Sequence, residues 1–256
     1  MAIAGVRHLE HQLFVYRRVW RGTAFSTILS PILFLSAMGV GLGSLVASTA
    51  AFGGVSYLAF LAPGLLAAQA MQTSTLESAW PLLAGFKWLK TFEAEIATPQ
   101  RPQDIVLGHL YWQIVRLGIV TGIFLIVMFF FGALTSPLAL LMWPAAILTG
   151  LAFGMPMAAW TATQQRESSF PILFRLVITP LFLFSGTFFP IDRLPAVIQP
   201  VAWFTPLFHG VALTRALGLG QPLELWAYGV HLAVLVGLVV LGTLIAFRTF
   251  RNRLVV

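Results

Sequence analysis

Six stretches of this chain, Phe25–Val46, Val55–Ser74, Ile105–Phe131, Leu138–Ala162, Phe170–Phe189 and Leu223–Phe247, are long apolar runs almost free of charge. A helix needs about 20 apolar residues to cross the hydrocarbon core of a bilayer. The runs are continuous, unlike the weak ten-residue alternations of barrel strands, which excludes a β-barrel. Composition agrees: 59% of residues are hydrophobic and only 9% charged, against about 25% charged in a soluble domain. A soluble fold of this length has too much surface to hide so much apolar material. The sequence therefore predicts an all-α integral membrane protein, a single transmembrane domain over 1–256. With no cysteine, disulfides, thiolate metal sites and cysteine nucleophiles are excluded.

Charge sets the expected topology, because arginine and lysine collect on the cytoplasmic side. Residues 194–217 are apolar enough to suggest a seventh crossing, but they hold Pro195, Pro200, Pro206, Gln199, His209 and Arg215. Prolines remove backbone donors, and unsatisfied backbone in lipid is costly. Six crossings with both termini cytoplasmic leave only Arg193 and Arg215 outside. The other basic residues, including Arg7, Arg17, Arg18, Arg21, Lys87, Lys90, Arg248, Arg251 and Arg253, then lie inside. A seventh crossing would move the last three outside. Residues 190–218 are thus expected to form broken, re-entrant helices on the outer face. The net charge of +7 is topological, and nucleic acid is not an expected partner.

Two polar segments stand apart from the spans. Val6, Leu9, Leu13, Tyr16 and Trp20 recur at helical spacing among arginines, which predicts an amino-terminal helix over 6–22 lying in the membrane interface; a solvated helix docked on protein is the plainer alternative. The segment is not a cleavable signal, since its polar region is too long and a spanning run follows. Between the second and third runs, Phe86, Leu89, Phe92 and Ile96 share one stripe and predict a short amphipathic helix over 86–97. Thr98-Pro99 and Arg101-Pro102 end it, because proline cannot continue the hydrogen-bond ladder.

Chemistry is sparse. There is no phosphate-binding loop, no paired-histidine zinc motif and no nucleophile elbow. His8 and His11 lie three apart, a spacing that can hold a metal but more commonly marks polar residues at a headgroup surface. Glu77 and Arg116 fall at similar depth inside the membrane by helical rise; they either pair or snorkel separately to the headgroups. Ion-coupled transporters need buried acidic residues, and Glu77 alone is poor material for one. Phe182, Phe184 and Phe188 in the fifth run either line a pathway or face lipid.

The architecture and the stretch SGTFFPIDRLPAVIQPVAWFTPLFHGVALTR at 185–215 resemble the ABC-2 type exporter permeases. The Phe-Phe-Pro-Ile-Asp run and the Pro206-Leu207-x-His209 cluster are particularly similar to nodulation-factor (lipo-oligosaccharide) exporter permeases, with daunorubicin-type drug exporters as wider relatives. The resemblance implies a transport subunit that is not itself an enzyme, in the cytoplasmic membrane of a bacterium. It implies two copies of a separate ATP-binding subunit, which would hold ATP and magnesium, and a second permease, another copy of this chain rather than a different one. It implies that the 86–97 helix is the coupling helix, with Phe86, Leu89, Phe92, Ile96, Thr98 and Pro99 transmitting ATPase motion. It implies that Phe189, Pro190, Pro206, His209 and Arg215 form an outer gate, and that an amphiphile leaves through a seam between permeases. A drug-efflux permease and a secondary transporter are the alternatives; the latter would need an inverted repeat, which is not seen.

Overall fold

The computed structural model describes residues 2–43, 52, 54–193, 195, 199–221 and 223–255. Val46, Leu194 and residues 196–198, which belong to expected elements, lie outside that set. Among the described residues there are helices and no strand. Four helical stretches are long and apolar enough to cross a membrane: Gly5–Gly41, Pro102–Phe130, Pro137–Thr161 and Leu225–Leu254.

The first is one continuous helix. α1 (Ala2–Phe34) passes directly into π-wound turns over Leu35–Leu42. Residues 6–22, expected as a helix of their own, are thus part of a longer helix. No proline interrupts 2–30, so nothing ends the hydrogen-bond ladder. Pro31, one turn before the π segment, removes a backbone donor there, the usual setting for such a change of winding. α1 runs alongside α5 (Pro102–Phe130) in the same direction. Gly5 sits against the Asp104 carbonyl and Gly108, Tyr16 against Trp112 and Arg116, and Leu35 in one cluster with Val127 and Met128. α5 is about 43 Å long at 1.5 Å per residue, more than the roughly 30 Å hydrocarbon core. The face of α1 turned inward carries Gly5, His8 and Tyr16, while Val6, Leu13 and Trp20 of the expected stripe stay exposed. In lipid, small and polar side chains make the protein contact and apolar ones face the tails.

α2 (Tyr57–Glu77) starts on Ser56, whose side chain accepts from the Ala59 amide. It is the central helix, buried along most of its length between α5, α6 (Met142–Thr161) and α10 (Pro206–Leu219). Its run of Ala59, Ala62, Gly64, Ala67, Ala68 and Ala70 allows backbones to approach closely. Gly64 shows how closely: a Cβ there would lie 3.0 Å from the Thr187 carbonyl oxygen. The last helix, α11 (Leu225–Leu254), buries only a narrow stripe, Leu235, Gly242, Ala246 and Phe250, mainly against α6. Val236, Val240, Leu241, Leu244 and Ile245 remain exposed, as lipid-facing residues should be.

Between α2 and α5 the chain does not form one helix over 86–97. α3 (Trp80–Lys87) ends, the backbone turns at Trp88–Lys90, and α4 (Thr91–Ile96) begins. Lys90 adopts φ 50°, the only positive φ outside glycine among the described residues. Beyond α6, a 16-residue apolar helix, Ser169–Phe184, comprises α7 (Ser169–Leu173), a π turn, and α8 (Thr179–Phe184). At about 24 Å it is short of the hydrocarbon thickness. The chain continues through irregular backbone, a 3-10 turn (Ile191–Arg193) and α9 (Gln199–Trp203) into α10.

Candidate functional site

Three features on the inner framework carry the functional residues: the α3–α4 elbow, a polar cluster beside it, and the 185–219 segment at the opposite end.

The elbow buries the side chains that the sequence stripe presented as an outward face. Phe86 is 6% and Phe92 3% exposed, and both pack with Phe250 of α11, Ile105, Val106 and Met155. The three phenylalanine rings are 4.7, 4.9 and 6.0 Å apart in tilted or edge arrangements, which favours them beyond area burial alone. Ile96 packs against the same cluster. The turn reverses the exposure of the remaining residues: Leu89 is 70% and Trp88 50% exposed, with Lys87, Lys90, Thr98 and Pro99 also on the surface. Of the expected coupling set, Leu89, Thr98 and Pro99 face outward, and Phe86, Phe92 and Ile96 serve as the anchor. A stripe shows that a helix is covered, not by what, and here α11 covers it.

Two contacts outside the stripe hold the elbow. His8 of α1 places Nδ1 2.9 and 3.0 Å from the Glu95 carboxylate oxygens, with His8 almost wholly buried. Arg253, at the end of α11, donates from Nη1 to the carbonyls of Thr161, Ala162 and Gln164 at 3.1, 3.0 and 2.8 Å. It thereby satisfies the free carbonyls at the end of α6, while its guanidinium lies 4.2 Å from the Phe86 ring centre. The His8 contact makes His8 a partner of a carboxylate rather than of His11, and among the described residues no group of three or more His, Asp or Glu could hold a metal.

Glu77 and Arg116 meet. Arg116 Nε donates to Glu77 Oε1 at 3.0 Å, with the side chains 9% and 23% exposed. Trp112 Nε1 donates to Glu77 Oε2 at 3.3 Å, and Arg116 Nη1 donates to the Tyr16 hydroxyl at 3.2 Å with the guanidinium also over that ring. One turn away lies a fully buried polar set. The Gln113 amide donates to Ser78 Oγ at 2.8 Å and accepts from Ser74 Oγ at 3.0 Å; His109 Nε2 lies 3.0 Å from Ser78 Oγ. Ser78 passes the connection to α6, its carbonyl accepting from Thr161. The signal for this set was legible: Ser74/Ser78 and His109/Gln113 are four apart on two apolar helices, so each pair shares a face. Toward the middle of the molecule the Glu77–Arg116 pair opens onto a groove of about 270 Å³ lined by Thr27, Ser30, Gln69, Thr73 and Leu76.

In the opposite segment Arg215 does structural work. It donates from Nε to the Phe60 carbonyl at 3.2 Å and from Nη2 to those of Gly186 and Thr187 at 2.9 and 3.3 Å, over the Phe60 ring. Irregular backbone at membrane depth survives only when protein satisfies it, and Arg215 supplies those donors. Tyr57 lies within reach of the Phe188 carbonyl, and Ser185 pairs with Thr205, whose side chain also caps α10 just before Pro206. Phe189 packs with Ile191 and Ala202, and Pro190 accepts from the Arg193 amide. His209 contacts His231 of α11, a partner that sequence gave no means of finding. Phe182 and Phe188 form an edge pair at 5.0 Å inside the central cluster. Phe184 instead lines an apolar cleft of about 260 Å³ with Leu176, Pro180, Leu181 and Val201. The three phenylalanines do not form one surface.

The family model for the ABC-2 type transporter matches residues 9–219. Curated relatives called Nodulation protein J align over nearly all of the chain. That of Rhizobium leguminosarum bv. viciae is 35% identical over 94% of both chains, and that of Rhizobium meliloti (strain 1021) 33% identical over 94% of this chain and 92% of its own. A third, from Bradyrhizobium diazoefficiens, is 32% identical with the same coverage. With helices and no strand among the described residues, several of them of membrane length, and this match over most of its length, the chain belongs to the ABC-2 type transporter family, as an integral membrane permease.

Proposed function

We propose that this chain is the permease of an ATP-driven exporter, docking a separate ATP-hydrolysing subunit on the α3–α4 elbow and passing an amphiphile outward across the bacterial cytoplasmic membrane. One observation carries the reading: Trp88 and Leu89 stand exposed on a turn that is otherwise anchored on three sides, by Phe250, Arg253 and His8. A mere connection between two spans needs no such anchoring. An apolar tip on a rigid base suits insertion into a partner's groove, where aromatic and aliphatic anchors dominate binding. Closure of two ATPases, each with ATP and magnesium, would then move the elbow as a solid body. His8 and Arg253 would pass that movement to α1, α6 and α11, a two-state rearrangement of the usual kind.

In this arrangement the elbow faces the cytoplasm, as do both termini. α2 and the Ser169–Phe184 helix complete six crossings, the latter with the help of the backbone that Arg215 satisfies. A second copy of the chain pairs with the first. The groove lined by Thr27, Ser30, Gln69 and Thr73 supports a substrate with a polar, hydroxyl-bearing part, such as a lipo-oligosaccharide, over a wholly apolar drug: Thr27 donates to the Thr23 carbonyl and Gln69 to Thr73, and their oxygens keep acceptor capacity for a hydroxyl-bearing ligand. The test is ATP-dependent movement of a fluorescent lipo-oligosaccharide into inside-out vesicles carrying the chain together with an ATPase encoded beside it. Transport that needs both subunits and ATP is expected. Transport that persists without the ATPase, driven by an ion gradient, would overturn the reading.

A further inference from the structure

His209 and His231 stand on different helices, α10 and α11, with their Nδ1 atoms 2.7 Å apart. Two neutral imidazoles at that distance share one hydrogen, one nitrogen donating and the other accepting. The rings are 5.0 Å apart between centroids, and Phe208 sets its edge against both, at 5.4 and 5.6 Å. His209 is buried and His231 half-buried.

The proton arithmetic of such a pair is simple. With no extra proton the contact holds. With one it also holds, because an imidazolium donates to its neutral neighbour. A second proton makes both nitrogens donors and brings two cations together, and like charges at contact distance disfavour each other's charged form. The Trp203 carbonyl accepts from His209, but no charged side chain faces the pair to relieve that repulsion. Of the elements packed against α10, α6, α9 and the 3-10 turn at Pro137–Leu141 carry no titratable side chain. On α2, Tyr57 reaches the Phe188 carbonyl and Glu77 is held by Arg116. On α10 itself Arg215 is committed to backbone carbonyls. On α11 Tyr228 packs with Ala145 and Leu213, and Glu224, just before the helix, accepts from Trp226.

We propose that the His209–His231 contact is a proton-operated tie that fastens the 185–219 segment to α11 and releases it when both imidazoles are protonated. The helix it fastens also holds the irregular backbone of that segment through Arg215, and α2 through the Thr214 hydroxyl, which donates to the Pro63 carbonyl at 2.9 Å. Releasing one side therefore loosens the segment without detaching it. If this end of the molecule faces outside, as the export reading has it, the tie senses external acidity.

Hydrogen–deuterium exchange of the full chain in lipid nanodiscs, followed from pH 8 to pH 4.5 and corrected for the intrinsic pH dependence of exchange, tests this directly. Protection of peptides covering 206–212 and 227–233 should hold down to about pH 6.5, the ordinary histidine range. It should then fall, approaching about tenfold per pH unit where opening takes up one proton. His231→Gln and, independently, His209→Gln keep a donor and an acceptor in place, and each should abolish the fall. A flat wild-type profile to pH 4.5 overturns the proposal without reference to any variant. So does a fall that persists in either glutamine variant. The measurement uses neither ATP nor substrate, so its outcome is distinct from that of the export reading.

Discussion

Removing one partner of the Glu77–Arg116 pair should be far more damaging than removing both. The guanidinium of Arg116 is 9% exposed and makes two charge-dependent contacts, to Glu77 and to the Tyr16 hydroxyl. Glu77→Gln leaves it with the tyrosine alone, and breaking a buried pair from one side typically costs about 3–5 kcal/mol. Arg116→Gln leaves the Glu77 carboxylate with Trp112 as its remaining side-chain donor. Because Glu77 retains 23% exposure, water offsets part of the loss, and the cost should be nearer about 2 kcal/mol. The double variant has no charge to strand, so a coupling of about 1–3 kcal/mol should remain after the single effects are subtracted. For a chain of this size each kcal/mol moves the melting temperature by about 2–4 °C. Glu77→Gln should therefore lower the Tm of purified protein in detergent by about 6–20 °C, and the double variant should recover several degrees. Thermal unfolding monitored by size exclusion reads this out. Simple additivity, within about 0.5 kcal/mol, would refute the claim that the two charges hold each other.

Three further outcomes follow from the same geometry. Phe250→Ala removes the ring under both Phe86 and Phe92 and should cost about 3–5 kcal/mol, with faster hydrogen exchange across 80–97 as the local signature. Arg215→Lys should destabilise by about 2–4 kcal/mol, because a single ammonium cannot reproduce a planar fork serving three carbonyls; unchanged Tm would mean those carbonyls are satisfied otherwise. Glu95→Gln should cost only about 1 kcal/mol, since the carboxylate is partly solvated and the contact to His8 keeps a hydrogen bond, yet it should reduce ATP-coupled transport more than it reduces protein in the membrane.

The long apolar helices are legible because their signal is length times apolarity, and the structure moves the boundaries of α2, α5, α6 and α11 by only a few residues, apart from the longer end of α11. Depth arithmetic put Glu77 and Arg116 at one level, which works when both helices are nearly straight and start at a common surface, but it left pairing and separate snorkelling both open. The elbow was harder. Phe86, Leu89, Phe92 and Ile96 have helical spacing, and the break falls at Lys90, a residue with no turn preference held at positive φ. Its cover, Phe250, lies over 150 positions along the chain, beyond the reach of any periodicity. In α1 the composition changes sharply at residue 22 without ending the helix, because a change from polar to apolar ends one only where a proline or an unsatisfied backbone group goes with it. His209 drew attention through its motif, while His231 looked like an isolated polar residue in an apolar run.

The claim on which the functional account rests is that the exposed turn of the elbow, not its buried stripe, receives the motor. Binding of the neighbouring ATPase to the permease in nanodiscs, measured by biolayer interferometry, separates the two directly. Leu89→Ala and Trp88→Ala should each weaken binding by about 1–3 kcal/mol, roughly 5- to 150-fold, with the Tm of the permease unchanged. Loss of affinity on Ile96→Ala with full binding by both turn variants would place the docking face on the stripe and contradict the account.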